Sequence, residues 1–306
     1  MGQIKKTVII TGYSCNNKCR FCIDSDKRRI PDKTTQEIVF EMAYARDRDR
    51  TYLEIIGGEE TIRQDFIYLI KTAKKLGFRE IVMATNGRML AYEGYTKRIV
   101  ESGITTIIFS IHGYDAKSHD YLTSIKGSFS QLIKGIRNLE ALGFKNIGSN
   151  TTIIKQNYKF LPEIGRFIYS LGIRNAEFIF VDPTRGEAYN NFKGLVPKIS
   201  KAAPYIRKCL DIGKCDGVSH WHIRYVPLCY FVGYEDQISE LFESKNFQTE
   251  HLAPEFKNFD AENSRKNIGR IKPKKCLPCK LYDICEGIWL QYYRCYGDKE
   301  LSRVVP

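Results

Sequence analysis

Between residues 5 and 182 the chain repeats a strand, a loop and a helix, and this rhythm constrains the fold more than any other feature. Apolar, β-branched runs fall at residues 7–11, 52–56, 81–85, 105–111, 147–154 and 177–181. Segments with helical period lie between them, at 35–45, 65–76, 96–101, 129–142 and 160–171. Four of the helices stop at Gly77, Gly103, Gly143 and Gly172, where a residue free to turn left-handed ends a helix. Alternation of this kind predicts right-handed βαβ units around a parallel sheet. Six strands suit either a partial (β/α)6, TIM-like barrel or an open doubly wound sheet.

After Pro183 the rhythm breaks. A helix is expected near 198–212, a strand at 222–226 and a short helix at 238–242, while the polar stretch 243–275 reads as a long loop. The expected division is a core of residues 1–183 and a small, cysteine-rich α+β extension of residues 184–306.

Composition limits the classes of function. The 306 residues are 43% hydrophobic and 27% charged, an ordinary balance for a globular protein. No apolar run approaches the ~20 residues of a membrane span, and Lys5 and Lys6 are not followed by a signal-type apolar segment. A cytoplasmic protein without membrane contact is therefore expected. The formal charge is +13, but the basic residues are dispersed, with short runs only at 27–29 and 272–275. No RNA-binding signature interleaves them with aromatics, so they read as solvated surface and not as a nucleic-acid interface. Ten cysteines are too few for a disulfide scaffold, and in a reducing compartment their clustering points to metal ligands.

The first cluster, CNNKCRFC at residues 15–22, follows the first strand directly. Its spacing, C-x3-C-x2-C, places Cys15, Cys19 and Cys22 at the strand's C-terminal end, where βα architectures build active sites. Three thiolates can wrap an iron–sulfur cluster and leave one iron open to an exogenous chelator, whereas structural zinc normally takes four protein ligands. A zinc knuckle or three chance buried cysteines is the plainer alternative. Gly57, Gly58 and Glu59 close the second strand; paired glycines admit a ligand to the backbone, and a carboxylate there can accept hydrogen bonds from an ammonium group. Thr85-Asn86-Gly87 and Ser110-Ile111-His112-Gly113 end strands three and four, and each is also compatible with ordinary turn chemistry.

Taken together, these segments resemble the radical SAM superfamily over residues 5 to about 182. The resemblance implies the partial (β/α)6 barrel and a 4Fe–4S cluster on Cys15, Cys19 and Cys22, with S-adenosylmethionine chelating the open iron. It implies that Gly57, Gly58 and Glu59 bind the amino end of that molecule. Phe21 would lie near the adenine and Ser110 near the ribose or methionine, with Thr85 and Asn150 as softer matches. It also implies an external one-electron reductant of flavodoxin or ferredoxin type. No catalytic acid, base or radical donor is singled out.

The end of the chain carries a second constellation, Cys276, Cys279 and Cys285 in a C-x2-C-x5-C pattern before Gly287. It resembles the SPASM and shorter twitch extensions of radical SAM enzymes, and the segment around Cys229 resembles the strand that supplies an earlier ligand there. One auxiliary 4Fe–4S cluster on Cys229, Cys276, Cys279 and Cys285 is the implied arrangement. A full two-cluster pattern expects a cysteine where Trp289 stands. Cys295 is a rival ligand, Cys209 and Cys215 keep a second auxiliary cluster open, and a zinc ribbon is the structural alternative. His220 and His222 flank Trp221 and read as half-buried packing before a metal pair.

The expected activity is generation of a 5′-deoxyadenosyl radical that abstracts hydrogen from a substrate, most readily a peptide that is crosslinked, given a thioether or epimerised. A small molecule of cofactor or nucleotide-derived metabolism is the alternative, and a non-catalytic iron–sulfur or zinc protein is the third. With the cysteine loop beginning at residue 15, no ~80-residue leader-binding module is expected before it. A peptide would then be presented by a separate carrier protein or recognised by barrel and tail alone.

Overall fold

The computed structural model describes residues 2–215, 217, 218 and 220–305. Six parallel strands follow one another across the sheet: β1 (Ile4–Ile10), β2 (Tyr52–Ile56), β3 (Glu80–Thr85), β4 (Thr106–Ser110), β5 (Ile147–Ile153) and β6 (Asn175–Phe180). The helices between them are α1 (Thr35–Asp47), α2 (Phe66–Lys75), α3 (Glu93–Ser102), α4 (Ala116–Thr123), α5 (Ser128–Ala141) and α6 (Leu161–Ser170). This is the mostly parallel, TIM-like α/β architecture that the alternating pattern predicts.

Local chemistry explains the boundaries. Thr34 and Glu37 form a reciprocal capping box at the start of α1, which satisfies two orphan N–H groups. The stripe Phe66, Leu69, Ile70 and Ala73 recurs at helical spacing and buries α2 on the sheet. All four expected stops, Gly77, Gly103, Gly143 and Gly172, take positive φ. In β2, Leu53 and Ile55 are fully buried, whereas Tyr52, Glu54 and Ile56 alternate with them and are half-buried. α4 lies outside the expected helices; it is only eight residues long and is defined by its Asp115 cap.

The chain beyond residue 183 extends both edges of the same sheet. The short helices α7 (Gly186–Asn190) and α8 (Phe192–Leu195) lead to α9 (Ile199–Cys215) and β7 (His220–Arg224), which pairs parallel with β6. Next come α10 (Ser239–Asn246) and β8 (Phe247–Leu252), which pairs parallel with β1, then β9 (Lys257–Asn258) and α11 (Ala261–Ser264). The expected loop at 243–275 is therefore corrected, since β8 is a strand of the main sheet. Its polar residues hide it from a hydrophobicity pattern because they find partners inside. Glu250 is wholly buried, accepts from Thr7 Oγ1 at 2.8 Å and Arg48 Nη2 at 2.5 Å, and lies 3.2 Å from Arg50 Nε.

The chain ends in β10 (Arg270–Ile271), β11 (Ile288–Trp289) and α12 (Leu290–Tyr296), with the tail cysteines between the two short antiparallel strands. A half-buried ionic chain couples this tail to the barrel. Arg224 on β7 pairs with Glu177 on β6 and Glu243 on α10, and Arg265 pairs with Glu243 and Glu286. No helix among the described residues is long and apolar enough to cross a membrane.

Two histidines near the end of β4 give the fold a pH dependence. Burial lowers the pKa of His112 to about 3, with His119 adding in the same direction, and lowers that of His119 to about 4. The unfolded chain binds these protons near pH 6.5 and the folded chain does not. Stability is therefore complete above about pH 6.5 and falls on acidification, by up to about 1.4 kcal/mol per pH unit for each histidine. Urea denaturation at pH 7 and pH 5 checks this; equal midpoints in the wild type and in His112→Phe would contradict it.

Candidate functional site

The loop bearing Cys15, Cys19 and Cys22 leaves the C-terminal end of β1 and is held from three sides. Its backbone N–H groups at Lys18 and Arg20 donate to the terminal carbonyls of α4, Thr123 at 3.0 Å and Leu122 at 2.9 Å. These bonds satisfy acceptors that a helix end leaves open. On the second side, Gly58 N–H donates to Gly12 O and Glu59 N–H to Ser14 O, both at 2.9 Å. A Cβ on Gly58 would stand 2.3 Å from Ser14 O, so one role of the paired glycines is close approach of the loop itself.

On the third side, Glu187 N–H donates to Cys22 O at 3.0 Å from the start of α7. Gly186 permits this contact: its φ is +64°, and a Cβ would lie 2.4 Å from Ile23 O and 2.5 Å from Cys22 O. Gly186→Ala is expected to push α7 off the loop and cost about 1–3 kcal/mol, read as a lower urea midpoint. An unchanged midpoint would mean that this contact does not hold the loop.

Glu59 is enclosed, while Gly57 and Gly58 are half-exposed. Its carboxylate accepts from Thr61 Oγ1, from Thr85 Oγ1 at 2.5 Å and from Asn86 N–H at 2.7 Å, and burial raises its pKa. Glu59 and Thr85, expected to face a cofactor, thus meet each other and pin the ends of β2 and β3 together. Ser110 and Asn150 are register partners on β4 and β5, so the structure brings those two expected residues side by side. Phe21 is buried edge-on against His112, with ring centroids 4.7 Å apart.

Several residues of this site have no motif to announce them. Arg28 donates to Asn17 O at 3.0 Å, and its charge draws the pKa of all three loop thiols down. Arg88 donates to Asn16 O and Asn17 Oδ1, and Asn86 Nδ2 donates to Asn16 Oδ1 at 2.7 Å. Against Arg28, burial pushes Cys15 up to about 11 and Cys19 to about 12, Cys19 further raised by the other two thiols, and it raises Cys22. Without a cation the loop is a set of protonated thiols, so loading it with metal must release protons. Three soft donors on one loop, beside the open rim of Gly57 and Gly58, fit an iron–sulfur cluster and a chelating ligand.

The tail cysteines also come together. Cys229, Cys276, Cys279 and Cys285 line one pocket, with Pro227 and Leu281 among its walls. Burial pushes Cys229 up to about 11, and the other three thiols raise it further. Among the described residues, no three His, Cys, Asp or Glu side chains converge as a single-ion site would require. The four thiols line that pocket, and a set of four soft donors fits a cuboidal cluster.

The remaining cysteines lie elsewhere. Cys209 is core: it is 1% exposed, packs on Gly165 and accepts at its carbonyl from Trp221 Nε1 at 3.0 Å. Cys215 and Cys295 are exposed, on α9 and α12. Trp289, at the position where a two-cluster pattern wants cysteine, is buried edge-on against Tyr225, with centroids 4.8 Å apart. His222 packs against Phe242, 5.3 Å between centroids, in keeping with a packing role.

A three-cysteine loop at the C-terminal mouth of a parallel, TIM-like barrel defines the class, a radical SAM enzyme. The family model described as the radical SAM superfamily matches residues 9–168, and the chain belongs to that superfamily. A probable GTP 3',8-cyclase of Saccharolobus islandicus is 25% identical over 172 residues, covering 56% of this chain and 55% of that protein. One of Metallosphaera sedula is 27% identical over 173 residues, covering 56% and 54%. The chain thus spans about half the length of these curated relatives. Among solved structures, Streptococcus suis SuiB bound to precursor peptide SuiA overlays with TM-score 0.68 at 17% identity, covering 98% of this chain and 74% of that one. Native anSMEcpe with bound AdoMet and Kp18Cys peptide gives 0.68 at 14%, covering 98% and 92%. At such identities the likeness is one of fold.

Proposed function

We propose that this protein modifies a peptide by radical chemistry, with Cys15, Cys19 and Cys22 holding a 4Fe–4S cluster and Cys229, Cys276, Cys279 and Cys285 holding one auxiliary cluster. The observation that carries this reading is the extent of the structural likeness. It takes in 98% of the chain, tail included, for SuiB bound to its precursor peptide and for anSMEcpe with a peptide. The likeness to GTP 3',8-cyclases stops at just over half of the chain. The basic surplus of +13 suits an acidic peptide.

When bound, the cluster and S-adenosylmethionine supply a carbon-centred radical that takes hydrogen from a C–H bond. The chain supplies position. Gly57 and Gly58 present an open backbone rim, and Glu59 holds that rim to Thr85 and Asn86. Ser110 and Asn150 offer adjacent polar side chains on the neighbouring strands. Phe21 and His112 form an aromatic wall beside the loop. The four thiols of the tail would keep a second redox group fixed to the barrel through the Arg224, Glu243 and Arg265 chain.

A second reading, action on a nucleotide or other small molecule, is favoured by the cyclase relatives, which match in sequence where the peptide enzymes match only in fold. One anaerobic experiment separates the two. The reconstituted protein is given S-adenosylmethionine, dithionite and either the short peptides encoded beside its gene or GTP, and products are read by mass spectrometry. Loss of two hydrogens from a peptide, or gain of one deuterium from heavy water, supports the proposal. Conversion of GTP with every peptide untouched overturns it.

A further inference from the structure

The edge of the barrel's interior carries a carboxylate with spare valence. On β7, Trp221 donates to Cys209 O of α9, so His222 and Arg224 lie on the opposite, interior side of the strand. On β6, Phe178 packs against Trp221 and leaves Glu177 and Ile179, both half-buried, on the interior side. Register then sets four polar residues in one row across β4 to β7: Ser110, Asn150, Glu177 and His222. The row runs from Ser110 and Asn150, the two residues expected beside S-adenosylmethionine, to the edge that α10 covers, where Phe242 packs on His222.

Within this row Glu177 has one oxygen fixed and one open. Oε1 accepts from Arg224 Nε at 2.9 Å and from Ser239 Oγ at 2.6 Å. Oε2 has no partner among the described residues, and the side chain is 24% exposed, so a molecule in the interior can reach it. Arg224 is shared with Glu243 and does not neutralise Glu177 alone. Along Glu177, Arg224, Glu243, Arg265 and Glu286, three carboxylates share two guanidiniums, which leaves one negative charge over. Of the charges beside them, Lys6 pairs with Glu54, and Arg270 opposes Glu240. His251 adds no charge at neutral pH, since burial lowers its pKa to about 4. This edge of the interior is thus acidic in a protein whose formal charge is +13.

A half-buried carboxylate with one oxygen held and the other open is suited to a charge-assisted hydrogen bond from a cation. Partial removal from water strengthens that attraction, and it repels a second anion equally. We infer that Glu177 sets the specificity of the barrel interior, selecting a substrate that brings a protonated amine or guanidinium to the row beside Asn150. Within the proposed peptide chemistry that group is a lysine or arginine side chain, and the basic exterior suits acidic residues flanking it. The inference rests on the proposed reading of the barrel interior as the reaction site.

Binding tests it without turnover. The reconstituted protein, with S-adenosylmethionine and no reductant, is titrated anaerobically by calorimetry at low salt. The probes are capped alanine peptides with a single central lysine, arginine, norleucine or glutamate, and the free amides of lysine and norleucine. The lysine and arginine peptides are expected to bind at least about fivefold more tightly than the norleucine peptide, with glutamate weakest. In Glu177→Gln, which can still accept from Arg224 and Ser239, the cationic preference is expected to shrink to within about twofold. A surface control, Glu101→Gln, is expected to keep it whole. Iron content of each sample establishes that the variant is loaded; if Glu177→Gln loses iron, Glu177→Thr replaces it, since Arg224 retains Glu243. Equal binding of the lysine and norleucine probes, a preference that survives in the Glu177 variant, or no binding by any probe would overturn the inference. Peptides bound without regard to charge would sink it and leave the peptide reading standing. Lysine amide preferred through Glu177, with every peptide unbound, would support it and sink the peptide reading.

Discussion

Changing Cys15, Cys19 and Cys22 together to alanine is expected to abolish cleavage of S-adenosylmethionine, a fall of at least about a thousandfold. About four of roughly eight irons should leave with it. The effect is this large because no other side chain can take over. The neighbouring polar groups, Asn16, Asn17, Arg28 and Arg88, are hydrogen-bonded to one another and to the loop backbone, and none is a soft ligand. The fold should persist, since the loop is tied to α4, β2 and α7 by backbone bonds that do not involve the thiols. A circular dichroism spectrum and tail iron content like the wild type would establish that. Residual cleavage in a folded triple variant would remove the loop from the chemistry.

The tail gives the second large effect, with a different signature. Replacing Cys276, Cys279 and Cys285 by alanine is expected to remove the other half of the iron and to eliminate modified product. Cleavage of S-adenosylmethionine in the absence of substrate should stay within about tenfold of wild type. The two cysteine sites are separate in the structure: the pocket that contains the tail thiols includes no residue of the first loop. Full product formation without the tail thiols would mean that the second site is structural. Loss of both activities with iron at the first site retained would mean that the tail helps to shape the barrel mouth.

Features that depend on a few neighbouring residues were legible. The strand–helix rhythm, the glycine stops and the cysteine loop are local, and the structure places each where its spacing predicts. Strand β8 was not legible, because FQTEHL is polar by composition and becomes sheet only when Glu250 finds Thr7, Arg48 and Arg50. The arginines at the site were equally hidden. Arg28 and Arg88 are two basic residues among 48, and only the fold brings them to Asn16 and Asn17.

Spacing alone could also mislead. Cys209 and Cys215 stand ahead of Cys229 as a ligand pair might, yet Cys209 is packed between Gly165 and Trp221 in the core. Glu59 has a further role that spacing does not announce. Its place at a strand tip suggests a carboxylate facing a ligand, and in the folded chain that carboxylate also accepts from Thr61, Thr85 and Asn86. A motif names the residues near a site; which of them faces outward is decided by the hydrogen bonds each finds on folding.

The most direct measurement is made on the wild-type protein, reconstituted without oxygen. Iron and acid-labile sulfide are counted, and 5′-deoxyadenosine is quantified after addition of S-adenosylmethionine and dithionite. The expected result is roughly eight irons and eight sulfides per chain, with steady formation of 5′-deoxyadenosine. Zinc in place of iron, or a full complement of iron with no cleavage, would contradict the central claim.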